Sequence, residues 1–135
     1  MLWLADTSVA VPALQASHLA HVQVQRQLAG RALGLTAHAA LETYSVLTRL
    51  PGDGRLSMDD ASTLIAERFG PIIVLAADEA ELLVRTLSQK GIGGGAVYDA
   101  LIGLIAKQAG GTLLTRDSRA RATYLAVGVE HEVLS

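Results

Sequence analysis

"LWLADTSV", residues 2–9, and "TLLTRDS", residues 112–118, share one arrangement. A short apolar run ends at a carboxylate, with hydroxyl residues beside it. Leu2 to Ala5 and Thr112 to Leu114 suit short strands buried on both faces. Asp6 follows the first, while Thr115 and then Asp117 follow the second. Between them the chain alternates. Val9 to Leu14 suits a helix in which Pro12 is tolerated only in the first turn. His18 to Leu28 reads as a helix closed by Gly30, and Ala32 to Leu35 as a strand. Thr36 suits an N-cap for a helix from Ala37 to Leu50, stopped by "PGDG" at residues 51–54. Ser57 suits an N-cap before "MDDASTLIAERF", whose early acids favour a helix N-terminus. "IIVL", residues 72–75, is the clearest strand because it is rich in β-branched residues. Asp78 to Gln89, Ala96 to Gln108 and Ser118 to Ala126 follow as helices, and Val129 to Val133 as a last strand. Short apolar strands alternating with helices predict an α/β domain with a parallel sheet covered on both faces.

The 135 residues are the usual size of one domain, so residues 1–135 are expected to form a single unit. Half are hydrophobic, but one Trp, three Tyr and one Phe are the whole aromatic set. The core must therefore be built from Ala, Leu, Val and Ile. With no cysteine, disulfides and thiolate metal sites are excluded. No basic start leads into a long apolar stretch, and no segment approaches the roughly 20 apolar residues that span a bilayer. A cytoplasmic location with no membrane partner is expected. A net charge of −2 argues against coating nucleic acid through bulk charge. It leaves room for an enzyme that handles nucleic acid at a local site.

The fold class makes the acids informative. In an open α/β sheet, ligands bind in the crevice beyond the carboxyl ends of the strands. Asp6 and Asp117 each follow a strand. Glu42 lies one or two turns into the helix after the second strand. Asp99 lies in the first turn of the helix after the glycine-rich "GIGGGAVYD". Each acid has an ordinary reading: Asp6 and Asp117 as N-caps, Asp99 as an acid at the positive end of a helix, Glu42 as a solvated helix residue. Together they carry more weight. Glu42 and Asp99 interrupt apolar surroundings, "AALETYSVL" and "AVYDALIGLIA", where an unpaired carboxylate costs free energy. Four converging carboxylates would repel one another and raise at least one pKa. A divalent cation relieves that repulsion. Oxygen donors without His or Cys favour Mg²⁺, for which Mn²⁺ can substitute, over zinc.

At these residues the chain resembles the PIN-domain family, and within it the VapC toxins of bacterial VapBC toxin–antitoxin pairs. "LADTSV", the mid-helix Glu42, "GGAVYDALIGLIA" and "LLTRDSRA" are similar, in order and spacing, to the family's four acidic motifs. The likeness runs over nearly the whole chain, through the "RLPGDGRLS" turn. It implies a three-layer α/β/α sandwich and a magnesium-dependent endoribonuclease that hydrolyses RNA phosphodiesters. It also implies a homodimer and a cognate VapB-like antitoxin. Carried over residue by residue, Asp6, Glu42, Asp99 and Asp117 form the acidic catalytic and metal site. Ser8 and Thr115 are supporting polar residues.

Other signals are weaker. "GIGGGA", residues 91–96, fits the outline of a dinucleotide fingerprint, but that motif must follow a strand. Here it follows the amphipathic "AELLVRTLSQK", so Gly91 reads as a helix stop. A dehalogenase-type phosphatase would need a second acid two positions after Asp6, where Ser8 stands. His18, His21, His38 and His131 have no close metal-binding spacing and suit surface or capping roles. Arg116, Arg119 and Arg121 flank Asp117 and are candidates for RNA-phosphate contacts, or equally for the solvated face of the last helix. The apolar faces of "AHVQVQRQLAG" and "LETYSVLTRL" suit either core packing or a homodimer. The alternative to an endoribonuclease toxin is a catalytically silent α/β domain that uses the same surface to bind a partner.

Overall fold

The computed structural model describes all residues, 1–135. Five strands form one wholly parallel sheet in the order β3-β2-β1-β4-β5. They are β1 (Trp3–Ala5), β2 (Leu33–Thr36), β3 (Ile72–Ile73), β4 (Thr112–Thr115) and β5 (His131–Val133). Eight helices connect them: α1 (Thr7–Leu14), α2 (His21–Leu28), α3 (Ala37–Thr48), α4 (Met58–Arg68), α5 (Ala77–Glu81), α6 (Leu83–Gln89), α7 (Ala96–Gln108) and α8 (Arg121–Val127). From β1 the chain steps outward to β2 and β3, then returns to the other side of β1 for β4 and β5. Right-handed crossovers place helices of the two legs on opposite faces. The packing agrees, since α1 to α4 pack among themselves and α7 packs on α8. This is the expected three-layer α/β/α sandwich.

The strand order reverses between β1 and β4, which is the topological switch point where such sheets open a crevice. The two strands are paired through Trp3–Thr112, Leu4–Leu113 and Ala5–Leu114. The Asp6 backbone N–H continues the ladder to the Leu114 carbonyl at 3.0 Å. Leu4, Ala5, Leu33, Leu35, Leu113 and Leu114 are buried and form the middle layer of one aliphatic core.

Several boundaries differ from the sequence expectation. Helix α1 starts at Thr7, not Val9, so Pro12 stands in its second turn and is buried. The proline gives up one backbone bond in a helix of only eight residues. Helix α2 starts at His21, because His18 turns the chain and its Nδ1 accepts the Ala20 N–H at 3.0 Å. The expected helix over 78–89 is broken at Leu82 into α5 and α6. The last helix opens with a 3₁₀ turn, Ser118–Ala120, before α8. "IIVL" contributes only two strand residues. Strand β3 lies at the sheet's edge and pairs through Ile72 and Ile73 alone, and Val74 is exposed. The ladder stops there because Ile73 pairs with Thr36, the last residue of β2, and the chain then enters α3. The caps held: Thr36 accepts from Ala39 N and Ser57 from Asp60 N, each at 3.0 Å. Gly91, at φ +70°, ends α6 in the left-handed region that favours glycine.

Candidate active site

The chain's fold brings four acids to the open edge at the switch point. Asp6 leaves β1 and Asp117 leaves β4. Glu42 stands in the second turn of α3 and Asp99 in the first turn of α7. The Asp99 carboxyl is pushed above the usual carboxylate range, first by burial and then by the charges of Asp6, Asp117 and Glu42. That repulsion locates all four acids in one field. As the side chains stand, no three Asp, Glu or His groups are close enough to clasp an ion among themselves.

Asp6 is held most firmly. It occupies the N-cap position of α1 but makes no cap bond, so the capping role expected of it is not what its side chain does. Instead Oδ1 accepts the Ser8 hydroxyl at 2.5 Å and Oδ2 accepts the Tyr124 hydroxyl at 2.7 Å. Ser8 Oγ also accepts the Arg116 N–H at 2.8 Å and lies 3.2 Å from Thr115 Oγ1. A hydroxyl has one proton. Ser8 gives its proton to Asp6, so Thr115 must donate to Ser8. Thr115 in turn accepts the Asp117 N–H at 3.1 Å. This chain of bonds stitches the end of β1 to the end of β4. Asp6 is only 3% exposed. Burial raises its pKa, and the Ser8 and Tyr124 hydroxyls that donate to it oppose that shift. The Tyr124 phenol is pushed far above its usual range by burial and by the Asp6 charge, so it stays a donor.

The other three acids are less constrained. Glu42 Oε1 accepts the Thr7 hydroxyl at 3.0 Å. It lies 3.3 Å from His38 Nε2, one turn back on α3, but without the alignment of a hydrogen bond. The His38 ring stacks on Tyr98, with centroids 5.4 Å apart and planes 6° from parallel, which ties α3 to α7 beside Asp99. Asp117 caps its 3₁₀ turn, accepting the Arg119 N–H at 3.0 Å and the Arg119 Nε–H at 3.3 Å. For Asp117 the cap reading and the site position hold together. Asp99 feels only burial and neighbouring charges, and no hydrogen bond holds it.

The profile of the PIN domain matches residues 4–125. The chain belongs to the PIN-domain family. It is 50% identical over 124 residues to Ribonuclease VapC27 of Mycobacterium tuberculosis, covering 92% of this chain and 90% of that protein. Among solved structures, VapBC2 from Rickettsia felis, bound to a DNA fragment from its promoter, superposes with a TM-score of 0.69 at 17% identity, over 100% of both chains. Mycobacterium tuberculosis VapC20, described as a sarcin–ricin loop cleaving toxin, superposes with a TM-score of 0.66 at 19% identity, over 89% of this chain and 93% of that one.

Within this PIN domain the arginines are spread out. Arg119 is solvated and folded back on Asp117, and Arg121 is exposed at the start of α8. Arg116 is partly buried. It contributes, after burial itself, to lowering the pKa of His18. Thr7, His38 and Tyr124 touch the acids but have no motif that marks them. Thr7 looked like part of the strand-end pattern, and His38 like a surface histidine. Its placement four residues before Glu42 was the available signal. Tyr124 is 118 residues from Asp6, and only the fold brings them together.

Proposed function

We propose that this PIN domain is a metal-dependent endoribonuclease and the toxin of a type II toxin–antitoxin pair. The observation that carries the reading is that a PIN-domain chain brings Asp6, Glu42, Asp99 and Asp117, from four different elements, to the strand-end edge of one parallel sheet. Repelling acids gathered at a switch point are costly unless something cationic binds them. The all-oxygen donor set suits Mg²⁺ or Mn²⁺. Mg²⁺ keeps several waters and takes one or two carboxylates directly, with substrate phosphates completing its shell, so it does not need all four carboxylates to close on it. The ribonuclease name of a half-identical relative, VapC27, points to RNA.

In this mechanism Asp6, Glu42, Asp99 and Asp117 would hold the cation. When bound, it neutralises the cluster, polarises a phosphodiester and lowers the pKa of a water. Ser8 and Thr115 keep Asp6 and the β4 end in register. Asp99 accepts no hydrogen bond from the chain, so its carboxylate oxygens are free to bind the cation. Arg116, Arg119 and Arg121 border the site as phosphate contacts. Asp99→Asn should abolish RNA cleavage and leave the fold intact, with metal-free thermal stability held or raised. Wild-type cleavage by that variant would sink the assignment. Titration calorimetry with Mn²⁺ separates the enzyme from a silent binding domain, which would show no uptake. Sequencing the RNA ends produced on induced expression would identify the target.

The same site sets the partner chemistry. Two apolar grooves flank the acids. One, about 470 Å³, is lined by Leu83, Leu87, Val97, Tyr98 and Leu101. The other, about 540 Å³, includes Ala37, Leu41, Tyr44 and Phe69. An antitoxin segment would lay apolar residues in such a groove and direct an Arg or Lys into the carboxylates. Its binding should compete with Mn²⁺ and weaken with salt. Inhibition that survives mutation of that basic residue would refute the charge plug. The homodimer that the family resemblance implies would be tested by light scattering at micromolar concentration.

A further inference from the structure

The metal reading explains why four acids meet, but not why a wholly buried tyrosine reaches them from the far end of the chain. Tyr124 is 0% exposed and is the largest fully buried side chain of the core. Its ring is fixed on two sides. It lies against Gly103 of α7, where an added Cβ would come within 3.3 Å of Tyr124 Cδ1. It also packs at a 58° tilt against His131, with centroids 5.7 Å apart. A ring so confined delivers its hydroxyl to one place, and that place is Asp6 Oδ2 at 2.7 Å. Ser8 pins the other oxygen. With both oxygens engaged the carboxylate cannot rotate, while each oxygen keeps a lone pair for a further partner.

We propose that Tyr124 is a positioning residue for the metal site, fixing the plane of the Asp6 carboxylate so that its remaining lone pairs face the cluster. The proposal rests on the reading of Asp6 as a metal ligand. Hydrogen-bond partners behind a ligand orient it and raise affinity, and their loss typically weakens binding about 10–100-fold. The competing account is that Tyr124 is a core aromatic whose hydroxyl takes the nearest acceptor. That account predicts a stability cost and no change at the metal.

The test compares Mn²⁺ binding, by calorimetry on the full chain, for wild type, Tyr124→Phe and Asp6→Asn. The expected result is affinity weakened about 10-fold or more by Tyr124→Phe and lost in Asp6→Asn. RNA cleavage by Tyr124→Phe should recover toward wild type at saturating Mn²⁺, with KM for RNA unchanged. Unchanged Mn²⁺ affinity in Tyr124→Phe, beside a loss in Asp6→Asn, would overturn the positioning role alone. Unchanged affinity in Asp6→Asn would overturn the ligand reading beneath it. A second measurement leaves Tyr124 in place. The chain has three tyrosines, so Tyr44→Phe with Tyr98→Phe makes Tyr124 the only one. Adding Mg²⁺ should then perturb the tyrosine near-ultraviolet spectrum, and Asp6→Asn should abolish the change. A flat titration in the Asp6 protein would overturn the proposal.

Discussion

Asp6 and Asp99 stand at the same open edge of the sheet, and burial is the main cause that lifts both carboxyls. They are held in opposite ways. Asp6 is almost sealed from solvent and takes a hydroxyl on each oxygen. Asp99 is half-exposed, has no hydrogen bond, and is lifted further by the three other acids. The β1–β4 corner is thus assembled by the chain's own bonds. The α3–α7 side is assembled only as far as helix positions and one His38–Tyr98 stack can take it. Charge on that side is relieved in the free chain only by protonation, which the raised pKa of Asp99 favours.

The largest test of this contrast is to delete each carboxylate in the metal-free protein. Asp6→Ala strands the Ser8 and Tyr124 hydroxyls without their acceptor. A buried polar group that loses its partner costs about 1–3 kcal/mol, so a destabilisation of about 2–4 kcal/mol is expected. Asp99→Ala removes an unpartnered, repelled carboxylate and should leave stability unchanged or raised. Denaturant midpoints at constant m would measure both. Equal losses would show that the two acids are held alike.

The next test reaches the corner without touching an acid. Gly103 lets α7 approach α8 so closely that a Cβ there would lie 2.8 Å from Val127 Cγ2 and 3.3 Å from the Tyr124 ring. Both neighbours are fully buried and cannot yield freely. Gly103→Ala should therefore cost about 1–3 kcal/mol by overpacking. It should also weaken Mn²⁺ uptake, because Tyr124 would shift from Asp6. A stability loss with unaltered Mn²⁺ affinity would separate core packing from the acidic edge.

The same contrast explains what could be read from the sequence. Parallel order, three layers and the placement of Asp6, Glu42, Asp99 and Asp117 all follow from local signals: apolar runs, caps and an acid at a fixed offset. The bonds to Tyr124 and Thr7 were invisible because they join residues 118 and 35 positions apart, and no local pattern predicts where a hydroxyl will end. The break at Leu82 and the short β3 are failures of another kind. Helix periodicity does not register a single turn, and strand composition does not show where the neighbouring strand ends, here at Thr36. The contacts of His38 are a ring and a carboxylate, which metal-ligand spacing in the sequence does not encode.

On the looser side, Thr7→Val tests how much the one hydroxyl matters. It removes the 3.0 Å bond to a half-exposed Glu42, a contact worth about 1 kcal/mol or less. Glu42 can turn to water instead. A cost similar to that of Asp6→Ala would mean that Glu42 is clamped after all.

The smallest effect expected is a dependence of metal-free stability on pH through Asp99. Its folded pKa is raised above its ordinary value of 3.8. The folded chain therefore holds a proton that the unfolded chain has released over the interval between the two values. Where the folded state binds more protons, stability falls as pH rises. The contribution of Asp99 is thus full below 3.8 and is lost as pH climbs through its raised folded value. Solvent at the half-exposed site damps the effect. The Asp6 shift has the same sign, so wild type alone cannot assign the slope. Asp99→Asn removes one source and keeps the other. Melting temperatures across that acid range in chelator should fall less steeply with rising pH for Asp99→Asn than for wild type. Identical slopes would show that Asp99 does not carry the strain of the cluster. Mg²⁺ should flatten the wild-type slope, because a bound cation favours the ionised carboxylate, and should do so less for the variant.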